Sequence, residues 1–136
     1  ITGYLMNPSN PPMRDPKVVV MDFLHTVFNR HEVDEGLARC VGPTYRQHNP
    51  GVPDGVEGFR RHFKQAFLDR PQGSLEVKRM FCEGTFVTVH LQWFEYPGDR
   101  GSAVMDIFRL ENGRIVEHWD VMQPIPQDPA NNNTMF

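Results

Sequence analysis

The stretch VMDIFRLENGRIVEHWDVMQP, residues 104–124, constrains this chain more than any other. Two runs rich in Val, Ile, Phe and Trp flank Glu111-Asn112-Gly113. Asn and Gly tolerate the positive φ that a tight reversal between twisted strands demands, so the pattern is a strong signal for a β-hairpin. Asp106, His118 and Asp120 sit inside these otherwise apolar runs. Burying an ionisable group is costly unless it is paired, neutralised or used, which makes the three the first candidates for chemistry.

Whether they meet depends on the turn, because a slip of one residue moves a side chain to the other face of a sheet. A two-residue Asn112-Gly113 loop pairs Asp106 with Trp119 and leaves His118 opposite Ile107. A three-residue Glu111-Asn112-Gly113 loop pairs Leu110 with Arg114, Asp106 with His118 and Val104 with Asp120, and gathers the three groups on one face. The looser register keeps ionisable side chains off the second face and is the one expected.

The helical part precedes the hairpin. The first fourteen residues are rich in Pro and Asn and read as an irregular arm, with one domain from Asp15 to Phe136. Asp15-Pro16 is an N-cap followed by proline at the first helical position. Val20, Phe23, Leu24, Val27 and Phe28 then recur at helical spacing to about Arg30. A shorter helix opens at Asp34 and ends before Gly42-Pro43. Tyr45 to His48 reads as a short extended piece, and Asp54 with Glu57 makes a capping-box pattern for a third helix, whose Phe59, Phe63, Ala66 and Phe67 form one stripe. After Ser74 the period becomes alternating: Leu75, Val77, Arg79 and Phe81 share one face, and Phe86 to Tyr96 form a long strand. Helices followed by four long antiparallel strands define an α+β class with helices on one face of a curved sheet.

At 136 residues and 39% hydrophobic composition, the chain suits a single core. A formal charge of −3 with no Lys/Arg block argues against nucleic acid or an acidic membrane surface as partner. No apolar run approaches the ~18 residues of a membrane span, and no signal peptide is visible. Cys40 and Cys82 have neither metal-like nor redox spacing, so a reduced, cytoplasmic protein is expected and the Asn132-Asn133-Thr134 sequon is discounted. Met105, Ile107, Ile115, Trp119 and Val121 occupy the hairpin face away from the charged trio. Helices on one side of a sheet cannot cover both, so this face is expected to form a homodimer interface unless the C-terminal tail folds over it.

A carboxylate in a pocket of Val104, Phe108, Val116 and Met122 suits abstraction of a proton next to a carbonyl, since partial desolvation raises its pKa toward working pH. Imidazoles at His118, His90 or His48 could donate to the developing enolate oxygen. Tyr45, Gln47, Phe108 and Gln92 are expected to join His48 and His90 around the substrate; His90 shares its strand face with Thr88 and Gln92 and reads as a polar cavity wall. His25, His31 and His62 are expected to face solvent. Each assignment has a plainer counterpart: an Asp–His pair can simply bridge two strands, and His48 can cap its loop. A metal centre would need His48, His90, His118, Asp106 and Asp120 to converge, and no His-x-x-x-His spacing supports one, so no metal is expected. No serine sits in an elbow motif and neither cysteine has an evident histidine partner.

The runs YRQHNPGVPDGVEGFRRHF and VMDIFRLENGRIVEHWDVMQPIP, with the terminal NTMF, resemble the SnoaL-like proteins of the nuclear transport factor 2-like superfamily, the group that includes polyketide cyclases. The resemblance runs from Asp15 to Phe136. It implies a cone-shaped α+β fold in which a curved sheet is wrapped by three helices around a cavity. It also implies cofactor-free general acid/base catalysis on a small carbonyl or polyketide-like substrate, by aldol cyclisation or isomerisation. The acidic residue most similar in placement is Asp120, with Asp106 and His118 beside it. The position four after the strand tryptophan, acidic in many members, is Gln123 here, so the acid/base falls to Asp120 or Asp106. A pocket of the same fold that binds a small ligand without turnover is the alternative.

Overall fold

A computed structural model describes residues 13–136, and the first twelve residues of the expected N-terminal arm lie outside the described part. Helix α1 spans Pro16–Leu24, with the Asp15 side chain accepting from the Lys17 amide at 2.8 Å and proline in the first turn. The helical path continues toward Arg30 as expected, but His25–Asn29 is wound as a π-helical turn. Helix α2 spans Val33–Cys40 and packs on that turn through Gly36, where a Cβ would lie 2.3 Å from a Val27 methyl. Helix α3 spans Gly55–Asp69. Its expected capping box does not form: Asp54 makes no cap bond and instead accepts the Gln47 amide at 2.8 Å, tying the helix start to the preceding strand. Among the described residues no helix is long and apolar enough to cross a membrane.

The sheet has five strands, one more than the sequence pattern gives. Strand β1 is Val41–Gln47, β2 Ser74–Glu83, β3 Phe86–Phe94, β4 Ser102–Glu111 and β5 Arg114–Pro124, in the order β1-β5-β4-β3-β2. The four later strands are antiparallel neighbours, whereas β1 lies parallel to β5. The Gly-Pro pair that reads as a break is compatible with this strand because β1 is an edge. Pro43 can lack a ladder donor there, and Gly42 lets β1 approach Val116, whose methyl would be 2.9 Å from an added Cβ.

The hairpin register differs from both alternatives. The turn is the two-residue one, with Glu111 opposite Arg114 and with Asn112 and Gly113 at φ of 52° and 76°. Leu110 then faces Ile115, but Arg109 faces Glu117, so Val116 is an extra residue in a β-bulge. Beyond the bulge Phe108 faces His118 and Asp106 faces Asp120. The tight turn alone would have split the charged trio between two faces. The added residue restores the parity, so all three share the concave face although neither expected register is the real one. The tight turn also sets Ile115 beside Leu110 in the core, where it is fully buried, and not on the outer face that the looser turn predicts.

A second bulge, between Val77 and Arg79, changes the phase of β2. Val77 and Met80 therefore pack against the core while Arg79 and Phe81 are exposed, contrary to simple alternation. The helices close over the concave face through an aromatic cluster: Phe23 and Phe59 are 5.6 Å apart, Phe28 and Phe63 5.0 Å, and Phe59 and Phe63 4.5 Å. Such rings supply large apolar burial plus an orientation-dependent attraction.

Because Gly113 holds a left-handed conformation at the turn, Gly113→Ala is expected to destabilise the fold by about 1–2 kcal/mol. Chemical denaturation should show a lower midpoint with an unchanged slope.

Candidate functional site

Asp106 on β4 and His118 and Asp120 on β5 meet at the inner surface of the sheet. His118 Nε2 lies 2.7 Å from Asp106 Oδ1 and 3.9 Å from Asp120 Oδ2. Asp106 and His118 are only 6% and 7% exposed, so their mutual bond replaces water. Burial raises the Asp106 carboxyl above its ordinary range, and the neighbouring His118 opposes that shift.

The first strand and the loop after it hold this trio. Gln47 Oε1 lies 2.7 Å from His118 Nδ1 and also accepts the Asn49 backbone amide at 3.0 Å. Asn49 Nδ2 donates to both oxygens of Asp120 at 2.9 Å, and Asn49 Oδ1 accepts the Gly51 amide at 2.8 Å, closing a local turn. Tyr45 is buried with its ring nearly parallel to that of His118, and burial pushes its phenol well above the usual value. Phe108 presses on the imidazole from β4, with the ring centres 4.9 Å apart.

These groups form the polar end of a pocket of about 290 Å³. The remainder of its wall is largely aromatic, from Phe23 and Phe28, the Phe59, Phe63 and Phe67 stripe of α3, and Trp93. His62, Arg70 and Glu95 add a second polar region. There Arg70 pairs with Glu95, which also accepts the Trp93 indole N–H at 3.0 Å.

Of the residues singled out in the sequence, Asp106, His118, Asp120, Tyr45, Gln47 and Phe108 line this pocket. His48, His90 and Gln92 do not. On β3 the apolar set Val87, Val89 and Leu91 faces the core, so His90 and Gln92 belong to the opposite face. There the Arg79 guanidinium donates to His90 Nδ1, Phe136 packs 5.3 Å from its ring, and Gln92 donates to the Arg100 carbonyl at 2.9 Å. His48 points outward between two inward neighbours, stacks on Trp119 at 4.8 Å and lies 2.7 Å from Glu117. That carboxylate is held below its ordinary range by His48 first and Arg109 second. Val104 and Met122 are pocket walls as expected, whereas Val116 packs against β1.

His31 and His62 are not the solvent-facing residues they appear in sequence. His31 stacks on Phe67 at 4.0 Å and bonds to the Gly73 carbonyl, and His62 joins the pocket wall. Asn49 was missed, because Asn-Pro-Gly reads as turn chemistry and nothing in the local pattern points its amide at a carboxylate seventy-one residues away. The five-residue metal set does not assemble. Only Asp106, His118 and Asp120, among the described residues, bring ligand-type atoms within 4.8 Å of one another.

A curved sheet packed under three helices, with ionisable side chains in a pocket on its concave face, is the nuclear transport factor 2-like fold. Residues 20–118 match the SnoaL-like domain family, and the chain belongs to it. No curated protein matches the sequence. Among solved structures, TsrD from Streptomyces laurentii is similar over 86% of this chain and 90% of its own, at 23% identity and a TM-score of 0.63. A protein of Acidithiobacillus ferrooxidans provisionally named a polyketide cyclase aligns over 86% and 91% at 19% identity, with a TM-score of 0.66. IdmH from Streptomyces antibioticus, also provisionally a polyketide cyclase, aligns over 80% and 92% at 21% identity, with a TM-score of 0.65. At these identities the likeness shows the fold.

The raised Asp106 carboxyl has a thermodynamic consequence. The folded protein holds this proton more tightly than the unfolded chain, so the group's contribution is fully present below its ordinary value of 3.8. It is lost as pH rises through the folded value. Asp106→Asn cannot titrate, so its stability relative to the parent should rise with pH from about 4 upward, as measured by urea denaturation across that range.

Proposed function

We propose that this chain is a cofactor-independent enzyme that carries out general acid/base chemistry at carbon next to a carbonyl, as in aldol cyclisation or isomerisation of a polyketide-like small molecule. One observation carries the reading. Two carboxylates face each other across β4 and β5 with a histidine bonded to one of them, at the buried end of an aromatic-walled pocket, and each carboxylate has a different partner. In this reading Asp120, held by the Asn49 amide, takes a proton from the substrate, and Asp106 with His118 supplies one to the carbonyl oxygen. The aromatic wall favours a flat, apolar substrate body with its carbonyl directed at the sheet. The provisional cyclase names of two structural neighbours, and that of an Agrobacterium tumefaciens protein called an isomerase of the SnoaL-like family, agree with this class of chemistry.

The partner in this reading is a small molecule, with neither nucleic acid nor a membrane involved, in agreement with the net charge of −3. A cytoplasmic setting accords with two free thiols, Cys40 and Cys82.

Asp120→Asn keeps the shape of the side chain and removes its proton-accepting role. Exchange of hydrogen next to the carbonyl in 1,3-dicarbonyl and polyketide-like compounds should fall by roughly 10² to 10⁴, while ligand affinity persists. Exchange that survives in Asp120→Asn and disappears in Asp106→Asn would transfer the base role to Asp106. Binding without exchange by any form of the protein would establish a ligand-binding module instead.

Self-association through the outer face of β4 and β5 belongs to the same proposal. Met105, Ile107 and Val121 stand there exposed, Val121 by 70%, while Trp119 is partly covered by His48 and Phe86. A homodimer would bury this patch. Ile107→Arg would place an unpaired charge in that interface and should shift sedimentation toward monomer; a monomeric parent protein at high concentration would reject the dimer.

A further inference from the structure

The side-chain amide of Gln47 can be oriented by hydrogen-bond logic alone. The atom that faces His118 also receives the backbone N–H of Asn49 at 3.0 Å. A backbone N–H can only donate, so that atom is the carbonyl oxygen. An oxygen that can only accept stands 2.7 Å from His118 Nδ1, and this ring nitrogen must therefore carry hydrogen. In the neutral ring the other nitrogen, Nε2, is then a bare acceptor, and the group it meets at 2.7 Å is Asp106 Oδ1. Two acceptors cannot hold that contact, so a proton lies between them.

We infer that Gln47 is a positioning residue that fixes the tautomer of His118 and thereby makes Asp106 a carboxylic acid at rest, the proton-bearing group of the site. The alternative location of that proton gives an imidazolium and a carboxylate, a buried ion pair. The enclosure favours the neutral form: both side chains are nearly inaccessible, Phe108 and Tyr45 flank the ring, and separating charge in such surroundings is costly. The upward displacement of the Asp106 carboxyl by burial agrees. The titratable groups around the ring are Asp106 from β4, Asp120 from β5 and Tyr45 from β1, with His62 on the pocket wall from α3. Tyr45 stays neutral because its phenol is raised.

Two carboxylates of one residue type thus acquire opposite duties from their partners, a pattern by which a single site can run acid and base steps together. The catalytic meaning rests on the reading in the preceding subsection. In enolisation the C–H bond next to the carbonyl breaks and its proton goes to Asp120. The electron pair becomes the enol double bond, and the oxygen takes the proton of Asp106. Asp106 is left as the carboxylate and Asp120 as the acid; the contact between Asp106 Oδ1 and the bare Nε2 of His118 has then lost its proton and opens, until collapse of the enol onto carbon restores both side chains and the bond. Without Gln47 the ring would donate through Nε2 to an ionised Asp106, and the acid would be lost before substrate arrived.

The test reads protons and needs no substrate. In protein labelled with ¹⁵N at its six histidines, with His118→Gln used to assign the resonance, long-range ¹⁵N–¹H correlation reports the tautomer. The parent protein at neutral pH should show a protonated Nδ1 and a bare, hydrogen-bonded Nε2. Gln47→Met, similar in size but without an acceptor oxygen, should convert His118 to the Nε2–H tautomer. Gln47→Glu, which keeps an acceptor, should keep Nδ1–H and serves also if the methionine variant fails to fold. An imidazolium in the parent would overturn the placement of the proton on Asp106. Retention of Nδ1–H in Gln47→Met, or its loss in Gln47→Glu, would overturn the role of Gln47. Absence of carbon-proton exchange with the expected tautomers intact would reject the enzymatic reading alone.

Discussion

Between the Leu110–Ile115 and Arg109–Glu117 pairs, β5 has one residue more than β4, and that residue, Val116, decides which side chains share the concave face. Side chains on paired strands alternate strictly, so a single inserted residue exchanges inside for outside in everything beyond it. Upstream of the bulge Ile115 enters the core; downstream, His118 and Asp120 arrive beside Asp106 rather than on the far surface. The same extra residue is what β1 packs against, through the close approach of Val116 to Gly42. The strand that brings Tyr45 and Gln47 to the site is therefore seated on the irregularity that created the site.

The polar end of the pocket is tolerable energetically because its members bond one another in sequence. Asp106 meets His118, His118 meets Gln47, Gln47 meets the Asn49 backbone, and the Asn49 side chain meets Asp120. A buried network of this kind rigidifies when every member is satisfied and becomes costly when one is removed. The polar chain is supported by apolar rings on either side, which hold the imidazole plane without competing for its nitrogens.

Much of this was legible in the sequence where one periodicity governs a whole element. The three helices, the long strands and the hairpin follow from spacing and turn residues; Asp106, His118 and Asp120 do share one face as expected, but through a bulge and not through the expected turn. What was not legible depends on single-residue irregularities. The bulges at Val116 and near Lys78 leave no local signature, so the hairpin register beyond Val116 and the phase of β2 came out wrong, while Ile115 was misplaced by the choice of the three-residue turn. Only the Tyr45–Gln47 end of β1 was legible, because Gly42-Pro43 breaks most elements and only the edge position makes the pair acceptable. His90 and Gln92 were misplaced although the answer lay one residue away: Val87, Val89 and Leu91 are the apolar set of β3 and leave the polar set outside. Asn49 could be found only from the fold, since its partner lies on another strand.

The two borders of the sheet have a property in common. An exposed strand border offers unpaired backbone groups on which another chain can template, and natural sheets blunt it with proline, charge or a bulge. Here β1 carries Pro43 with Thr44 and Arg46 exposed, while β2 has its bulge next to Arg79 and exposed charge at Glu76. Neither border is a regular template for continued hydrogen bonding. The molecule can therefore present apolar surface on the broad outer face of its sheet while discouraging the end-to-end strand addition that leads to fibrils.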